Sequence, residues 1–425
     1  MGKNSNLILI FDLDGTIFRT KETILPAIKD LLRDLDYDED VDELVGSLIG
    51  EKTSTFCKKL KPKEMEMDRF IERLWEKEKE FIDNEGTLYE GIRDILDESK
   101  ANGIKMVLCS NANRDYIEYV LDKFGIKDHF ILILSGLDFD KKSVAVKNIS
   151  ERHDESTAVL IGDRAIDRNA AEENNIPFIA ALYGYGKEEI EDCYFTVKGP
   201  KEVLGHINRL ETFSSIENDL DALDDDKINT IGVNGIDNSG KSVFARSLSE
   251  YLKARGYGSK VISIDDFHNP SEIRRKGENP VDAYYENAFD TGRLIDEILE
   301  TISKNQEVHK ELENLNLKKD IYDLNGEYHI DKSDIVIIEG VLLYKEPLEK
   351  YIDYKIYLDI NYETMIKRAR ERDDKRFDEN VVKRYKEKYI PIQKRYIEKD
   401  KPKFKSDIII DNNDFDKPIV IKNRG

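Results

Sequence analysis

Cysteine and long hydrophobic runs are scarce in this sequence of 425 residues. The three cysteines, Cys57, Cys109 and Cys193, are scattered and lack metal-ligand spacing, which argues against both a disulfide framework and a cysteine metal site. The first apolar run, Leu7–Phe11, is far too short to span a membrane and is followed at once by an aspartate. It predicts a buried strand rather than a signal sequence, and we expect a cytoplasmic protein without a membrane partner.

Positive charge is also in short supply, because 67 lysines and arginines face 88 aspartates and glutamates and leave a formal net charge of −21. This balance disfavours extended DNA or RNA as a partner, since polyanions are repelled. Nucleotides are compatible with it, because backbone amides and one or two cations can bind their phosphates. The length predicts two domains, and 39% hydrophobic with 36% charged residues is typical of helix-rich α/β domains.

The first half of the sequence alternates short apolar runs with amphipathic helical stretches, the pattern of a parallel βαβ sheet. The runs, each predicted as a strand, are Leu7–Phe11, Lys105–Cys109, 130–134 and 158–161. Residues 20–86 instead contain long, charged, helical segments such as residues 63–81, which predicts a helical insertion, or cap, over the site. Sheets of this kind bind ligands at the carboxyl ends of their strands.

The second half repeats this pattern after an acidic, weakly periodic segment at residues 211–227. Its predicted strands are residues 228–233, 260–264, 335–338 and 355–358. We therefore predict an α/β chain of two domains, at residues 1–210 and 228–425, joined by an acidic linker at residues 211–227.

Two aspartates, Asp12 and Asp14, follow the first predicted strand. Carboxylates two residues apart leave a strand on the same side, and Gly15 allows a sharp turn directly afterwards. Unpaired, they would repel each other, whereas a bound Mg²⁺ would neutralise them and leave one free to attack phosphorus. The alternative is an ordinary loop that begins with acidic turn residues.

Further polar side chains follow the later strands of the first half, so all would meet at one edge of one sheet. They are Ser110, Asn111, Lys142, Asp163 and Asp167, with Lys141 as the alternative to Lys142. In order and type, these motifs resemble those of the haloacid dehalogenase-like phosphatases, over roughly residues 7–186. The helical insertion and residues 88–91 and 183–186 resemble the cap and loops of phosphoglycolate-phosphatase-like members.

This resemblance implies a role for each motif residue. Asp12 would be the nucleophile that forms an aspartyl-phosphate, and Asp14 would protonate the leaving group and then activate water. Ser110 and Asn111 would hold phosphate oxygens, while Lys142 would bind the phosphoryl group and hold Asp12 in place.

The same resemblance implies a magnesium site and an enclosed substrate. Asp163 would bind Mg²⁺ together with Asp12 and the backbone carbonyl of Asp14, with Asp167 in support. The cap would enclose a small phosphate ester, and residues 50–53 either contact the leaving group or merely connect two helices.

The predicted strand at residues 228–233 runs into a complete P-loop pattern, GxxxxGK[ST], followed by a predicted helix. Its residues are Gly235, Ile236, Asp237, Asn238, Ser239, Gly240, Lys241 and Ser242. In such a loop the backbone amides surround a phosphate of ATP, Lys241 bridges the outer phosphates and Ser242 binds Mg²⁺. Glu339 follows the strand at residues 335–338, where a second group would meet the metal.

The segment between the strands at residues 228–233 and 335–338 contains candidate residues for binding the molecule that accepts the phosphoryl group. Asp265 follows the strand at residues 260–264 and can take a proton from a hydroxyl, while Tyr284 and Tyr285 suit a stacked ring or pack the core. With the arginines of residues 365–372, these motifs resemble the uridine kinase and phosphoribulokinase-like family, over roughly residues 227–412.

That second resemblance implies that Asp265 is the base and that Glu339 holds Mg²⁺. Arg368 and Arg372 would close over the transferring phosphoryl group, as part of a lid within the charged helical regions 365–374 and 380–396. Those regions have a simpler interpretation as solvated helix faces. His268 stands where the family usually has tyrosine, and residues 274–277 are basic, which puts uridine itself in doubt.

The sequence therefore predicts a bifunctional enzyme that uses Mg²⁺ and ATP. Its substrates would be a small phosphate ester and a nucleoside-like or sugar-like hydroxyl acceptor. One alternative is a polynucleotide phosphatase and kinase acting on nucleic acid ends, which the cap and the acidic balance disfavour. Another is that one half is a nucleotide-sensing module without turnover.

Overall fold

A computed structural model describes residues 5–37, 40–63, 65–220, 227–372 and 379–423. The chain divides into two compact units, Met1–Ser214 and Ser215–Gly425, called here the N-terminal and C-terminal units. The helix Val203–Leu220 occupies the first part of the predicted linker, and residues 221–226 lie outside the described part. The predicted domain bounds stay predictions.

The N-terminal unit is built on a parallel sheet with strand order β3-β2-β1-β4-β5-β6. Its strands are β1 Leu7–Phe11, β2 Lys105–Cys109, β3 Leu132–Leu134, β4 Thr157–Gly162, β5 Phe178–Ala181 and β6 Thr196–Val197. All five residues of β1 are buried, as expected for a central strand covered on both faces. The predicted strand start at Phe130 is wrong, because a short helix at Lys127–His129 precedes it and the Phe130 ring packs against Phe11.

Helices cover this sheet and form the cap. The α-helices are Lys21–Asp34, Asp42–Leu48, Thr53–Leu60, Met67–Glu85, Ile92–Ala101, Arg114–Lys123, Lys142–Arg152, Ala165–Glu172, Lys187–Ile190 and Val203–Leu220, with 3₁₀ turns at Lys127–His129 and Pro200–Glu202. The first four make up the cap and share a hydrophobic core of their own. The helix predicted at residues 63–81 is Met67–Glu85, about one turn later.

The C-terminal unit has a sheet with order β14-β13-β12-β7-β11-β8, parallel except for the pair β13–β14, and a separate antiparallel hairpin β9–β10. Its strands are β7 Asn229–Gly235, β8 Gly258–Ser263, β9 Val308–Asn316, β10 Ile321–Ile330, β11 Asp334–Gly340, β12 Tyr354–Asp359, β13 Ile408–Asp411 and β14 Ile419–Asn423. Each of the four predicted strands of this half lies within two residues of an observed one.

The helices of this unit are mostly short. The α-helices are Lys241–Ala254, Ser271–Arg274, Pro280–Asn287, Thr291–Leu294, Glu300–Ile302, Tyr362–Arg372, Glu379–Arg384, Ile390–Asp400 and Pro402–Lys405, with π-helical turns at Ile295–Leu299 and Tyr385–Tyr389 and 3₁₀ turns at Ile264–Phe267 and Leu348–Tyr351. The charged regions predicted as helical are helical where they are described. In the described ranges, every helix is too short or too polar to cross a bilayer.

Strand register determines which polar residues meet. In the N-terminal unit, Phe11 at the end of β1 is level with Leu108 of β2 and Ile161 of β4. In the C-terminal unit, Glu339 of β11 is level with Val233 of β7 and Ser263 of β8. The segments that follow these strands therefore emerge side by side, at the edge where doubly wound sheets bind ligands.

Candidate active sites

The Asp12 carboxylate, directly after β1, is paired with Lys142, the first residue of a helix. Lys142 Nζ lies 2.5 Å from Asp12 Oδ1 and 2.5 Å from Asp167 Oδ1, and all three side chains are buried. Lys141 is exposed and precedes the helix. The helix therefore turns Lys142, and not Lys141, towards Asp12.

Burial dominates the electrostatics of this cluster. It raises the pKa of Asp12 to about 7, against the opposing charge of Lys142. It also raises the pKa of Asp163 well above its usual range, and the Asp12 charge adds to the effect. Burial opposes the charge on Lys142, but Asp12 and Asp167 outweigh it and raise the pKa of this lysine. The cluster thus carries more potential negative charge than its one lysine can balance.

Oxygen atoms of Asp12, Asp163 and Asp167 all lie within 4.8 Å of one another. Asp163 Oδ2 accepts a hydrogen bond from Tyr185 N at 2.6 Å, whereas its Oδ1 is buried with no hydrogen-bond partner among the described residues. Hard oxygen donors with excess negative charge are what Mg²⁺ prefers. The donor set fits the predicted metal, which Asp12 and Asp163 would hold and which would offset the charge around Asp12.

Two glycines pack directly against Asp163. Gly15 has a φ of +84°, and a Cβ built there or on Gly184 would collide with the Asp163 side chain. The chain can make this turn and this close approach only without a side chain at either position. The Asp163 carboxylate is therefore enclosed by main chain.

The Asp14 carboxylate is not part of the three-aspartate cluster and is bound by three hydroxyl groups. Its Oδ1 accepts hydrogen bonds from Thr20 Oγ1 at 2.6 Å and from Tyr116 OH at 2.8 Å, and its Oδ2 accepts one from Ser110 Oγ at 3.3 Å. Burial raises the pKa of Asp14 despite these three donors. The raised pKa favours the protonated form of Asp14, which suits a group that donates a proton. Asn111 is turned to the cap instead, where its Nδ2 donates to Gly50 O at 2.8 Å.

A cavity of about 180 Å³ adjoins Asp14, and residues of the cap line its other side. Glu51 and Thr53 line it, so part of the 50–53 segment does face this space. Glu78, from the helix Met67–Glu85, lines it as well and is only 7% exposed. Burial raises the pKa of Glu78 to about 8, and the Asp14 charge adds to the effect.

Sequence reasoning missed both Glu78 and Tyr116. Glu78 had a detectable signal, because it shares a four-residue spacing with Phe70, Leu74 and Ile82, the other buried residues of its helix. An acid on the apolar stripe of an amphipathic helix is unusual unless it has a partner or a function. Tyr116 had no comparable signal, since a tyrosine in an apolar stripe is ordinary core composition.

In the C-terminal unit, the P-loop connects β7 to the helix Lys241–Ala254. Asn238 and Gly240 adopt positive φ angles of 57° and 90°, which curl the loop. Lys241 is buried, and its Nζ donates to Ile236 O at 2.9 Å. Asp237 Oδ2 accepts a hydrogen bond from Gln393 Nε2 at 3.1 Å. The predicted ATP-binding residues thus form one continuous turn with the lysine folded across it.

Glu339 meets the P-loop at the end of β11. Its Oε1 accepts hydrogen bonds from Ser242 Oγ at 2.9 Å and from Ser263 Oγ at 2.8 Å. A carboxylate and a serine hydroxyl in contact at a P-loop are the two protein ligands expected for the Mg²⁺ of a nucleotide. The pair fits that ion, which would balance the phosphate charge.

Asp265 follows β8 as predicted, and its side chain is 66% exposed. The next residue, Asp266, has its pKa raised to about 6 by burial, with the charges of Asp265 and Glu339 adding to the effect. His268 is buried, donates from Nδ1 to Asp265 O at 2.8 Å, and packs on Phe289 with ring centroids 4.5 Å apart. His268 therefore shapes the loop that carries both aspartates.

The charge of Asp265 acts on Tyr284, which lies among aromatic and cationic side chains. The Tyr284 ring packs edge-on to Phe289 and Tyr389, and Lys388 Nζ lies 4.9 Å from its centroid. Burial lowers the pKa of Lys388, and the charges of three nearby arginines, which include Arg274, lower it further. Tyr285, in contrast, is buried in the hydrophobic core.

Arg368 contacts the main chain of the P-loop and of the segment that follows β13. Its guanidinium donates to Asn238 O at 3.2 Å and to Asn412 O at 2.7 Å, and it lies over the Phe415 ring. These bonds join Arg368 to main chain, and its predicted role on the phosphoryl group stays a prediction. Arg372 ends its helix, but its side chain lies outside the described part of the chain.

Comparison with known proteins adds two family matches. Residues 9–181 match the family model of haloacid dehalogenase-like hydrolases, and residues 230–414 match that of the phosphoribulokinase and uridine kinase family. Both resemblances inferred from the motifs are thereby confirmed.

Individual relatives are distant. A phosphoglycolate phosphatase of Caulobacter vibrioides is 28% identical over 26% of this chain and 48% of its own length, and a phosphoribulokinase of Synechocystis sp. is 30% identical over 35% and 42%. A solved structure of a possible uridine kinase from Bacillus stearothermophilus is 20% identical, covers 47% of this chain and 96% of its own, and has a TM-score of 0.39. The chain thus spans about half the length, or less, of these two curated relatives. Residues 9–181 belong to the haloacid dehalogenase-like hydrolase family and residues 230–414 to the phosphoribulokinase and uridine kinase family, so one chain joins a hydrolase-family region to a kinase-family region.

Proposed function

We propose that the N-terminal unit hydrolyses small phosphate monoesters through a covalent aspartyl-phosphate. Asp12 attacks phosphorus as the bond to the leaving oxygen breaks, and Asp14 gives that oxygen its proton. Water then attacks the phosphorus of the intermediate, Asp14 takes up the proton, and phosphate leaves with Asp12 restored. The observation that carries this proposal is the convergence of Asp12, Asp14, Lys142 and Asp163 from two separate strand ends and one helix start.

The surroundings of the two aspartates support different roles for them, with Asp12 as the nucleophile and Asp14 as the acid. Asp12 is held by Lys142, which keeps one carboxylate oxygen oriented and offsets the charge of incoming phosphate. Asp14 is buried with a raised pKa and adjoins the cavity under the cap, where a leaving group has room. Two carboxyl groups in different environments can serve as nucleophile and acid at the same pH.

The C-terminal unit, in the same proposal, transfers the terminal phosphoryl group of ATP to a hydroxyl of a small acceptor. Lys241 and the P-loop amides bind the nucleotide phosphates, and Asp265 takes the proton of the acceptor hydroxyl. Asp265 is exposed, whereas burial raises the pKa of Asp266 and the charge of Glu339 adds to the effect. These differences favour Asp265 as the base.

The surroundings of Asp265 favour an acceptor that is itself negatively charged. Lys388 lies against Tyr284, and the charges of Arg274, Arg275 and Arg384 act on it. Such a group of cations suits a sugar phosphate better than an uncharged nucleoside. The name of the phosphoribulokinase relative and the basic 274–277 segment, which puts uridine in doubt, both support this proposal.

A crossed pair of substitutions in the full-length chain tests the proposal. Asp12→Asn should abolish phosphatase turnover and leave kinase turnover intact, and Lys241→Ala should do the reverse. The phosphatase substrates are a panel of small phosphate esters, and the kinase acceptors are a pentose phosphate, the free pentose, nucleosides and a nicked DNA duplex. Phosphatase turnover that survives Asp12→Asn would refute the aspartyl-phosphate. Turnover of the duplex end alone would favour the nucleic acid alternative.

A further inference from the structure

The cavity under the cap shows what kind of leaving group the phosphatase site accepts, provided that the proposed phosphatase reaction is correct. It begins at Asp14, the proposed acid, and ends at the cap helix Met67–Glu85. Its volume is about 180 Å³. This is below the roughly 300–1,000 Å³ of pockets that hold drug-sized ligands, so the space suits a leaving group of a few non-hydrogen atoms.

Glu78 is the buried polar group that faces this cavity without a partner. Its side chain is 7% exposed, and within the described part of the chain its carboxyl makes no hydrogen bond and no ion pair. Burying a carboxyl group in this way is costly unless something pairs with it. A partner supplied by the ligand would remove that cost.

The rest of the lining has charge of one sign. Besides Glu78, the acidic side chains that line the cavity are those of Asp14, Glu51, Glu72 and Asp115, and its described lining includes no lysine, arginine or histidine. Lys52 lies between two lining residues, but its Nζ donates to Phe139 O at 2.6 Å instead. An anionic leaving group would enter this space with no cation to receive it.

We propose that Glu78 selects phosphate esters whose leaving group carries a protonated amine, and that the cavity rejects leaving groups with a carboxylate. The ammonium group lies against the Glu78 carboxylate while the phosphate lies at Asp12. An alkylamine has a pKa near that of lysine, about 10.4, so the proton stays on the amine even in front of a carboxyl as basic as this one. The named substrate of the phosphoglycolate phosphatase relatives, with its carboxylate, is then a poor ligand here.

Three esters of nearly equal size test this proposal: 2-aminoethyl phosphate, 2-hydroxyethyl phosphate and phosphoglycolate. The full-length Asp12→Asn protein with Mg²⁺ blocks the proposed turnover, so that binding can be measured alone. Trp75, the only tryptophan of the chain, lines the cavity, and its fluorescence reports binding directly. We expect the aminoethyl ester to bind at least about tenfold more tightly than phosphoglycolate, which corresponds to ~1.4 kcal/mol.

Two further variants in the same background identify the residue. Glu78→Gln keeps the shape and removes the charge, and it should reduce the preference for the amine to less than about threefold. Glu76→Gln, on the same helix but exposed and outside the cavity lining, should leave the preference unchanged. Equal binding of the three esters, no binding of any, or a preference that persists in Glu78→Gln would each overturn the proposal.

Turnover by the unmodified chain separates this proposal from the one on which it rests. Hydrolysis of these esters without preference for the amine contradicts only the role of Glu78. Amine-selective binding without hydrolysis of any ester contradicts the phosphatase reaction and leaves the selectivity standing. Amine-selective hydrolysis, with kcat/KM about tenfold higher for the aminoethyl ester than for phosphoglycolate, supports both.

Discussion

Replacing Lys142 with methionine should destabilise the N-terminal unit strongly. Lys142 is 3% exposed and contacts the carboxylates of both Asp12 and Asp167 at 2.5 Å. Methionine fills a similar volume without the charge, so the variant isolates the loss of the ion pairs from the loss of packing. Three buried aspartates would then remain with no buried cation among them.

The magnitude follows from the burial of the pair. Removing one partner of a buried ion pair costs about 3–5 kcal/mol, because it leaves a buried charge uncompensated. With a typical urea slope of about 2–3 kcal/mol per molar, the unfolding midpoint should fall by about 1–2.5 M. The loss should be smaller at acid pH, where the carboxylates take up protons and no longer need a counter-charge.

Trp75 provides the assay, since the only tryptophan of the chain lies in the N-terminal unit and its fluorescence follows the unfolding of that unit. Urea titrations in EDTA, with and without the substitution, measure the difference. The control is Lys141→Met, which changes the neighbouring exposed lysine and should change the free energy of unfolding by no more than about 0.5 kcal/mol. A Lys142→Met protein as stable as this control would refute the reasoning.

Three other predictions follow from the same geometry. In EDTA the N-terminal unit should lose stability as pH rises from about 4 to about 8, because the pKa values of Asp12 and Glu78 in the folded state, about 7 and about 8, lie above their ordinary values. Urea midpoints measure this loss, and they should fall less with pH in the Glu78→Gln variant. Tyr116→Phe removes one donor to Asp14 and should lower phosphatase kcat about tenfold, or ~1.4 kcal/mol, with little change in KM. Asp265→Asn should lower kinase kcat by about 10²–10⁴-fold. If Asp266→Asn shows this loss and Asp265→Asn does not, then Asp266 is the base.

Much of the fold was predictable because central parallel strands are apolar throughout. β1 and β2 were predicted at their observed bounds, and the motif residues that follow them needed only the rule that parallel strands end at one edge. The hairpin β9–β10 was not predicted, since its charged residues on both strands produce no apolar alternation. Two strands of that kind pair through their backbones, which leaves little signal in side-chain hydrophobicity.

The candidate sites show a similar limit. The sequence left Lys141 and Lys142 as alternatives, and only the start of the helix at Lys142 separates them. The contacts of Arg368 with the carbonyls of Asn238 and Asn412 could not be foreseen, because a basic residue on a charged helix is compatible with binding a phosphoryl group and with supporting a loop. Contacts between distant segments depend on how helices pack, and a motif records only the order of its residues.

The main-chain enclosure of Asp163 by Gly15 and Gly184 has a consequence for ion choice. Calcium takes 6–8 oxygen ligands in an expandable shell, whereas Mg²⁺ requires fewer and shorter bonds in a fixed octahedron. Backbone cannot move aside as a side chain can, so the two glycines hold the Asp163 carboxylate in one orientation. A ligand fixed in this way suits the rigid octahedron of Mg²⁺ better than the expandable shell of Ca²⁺, and we therefore expect Ca²⁺ to compete poorly for this position.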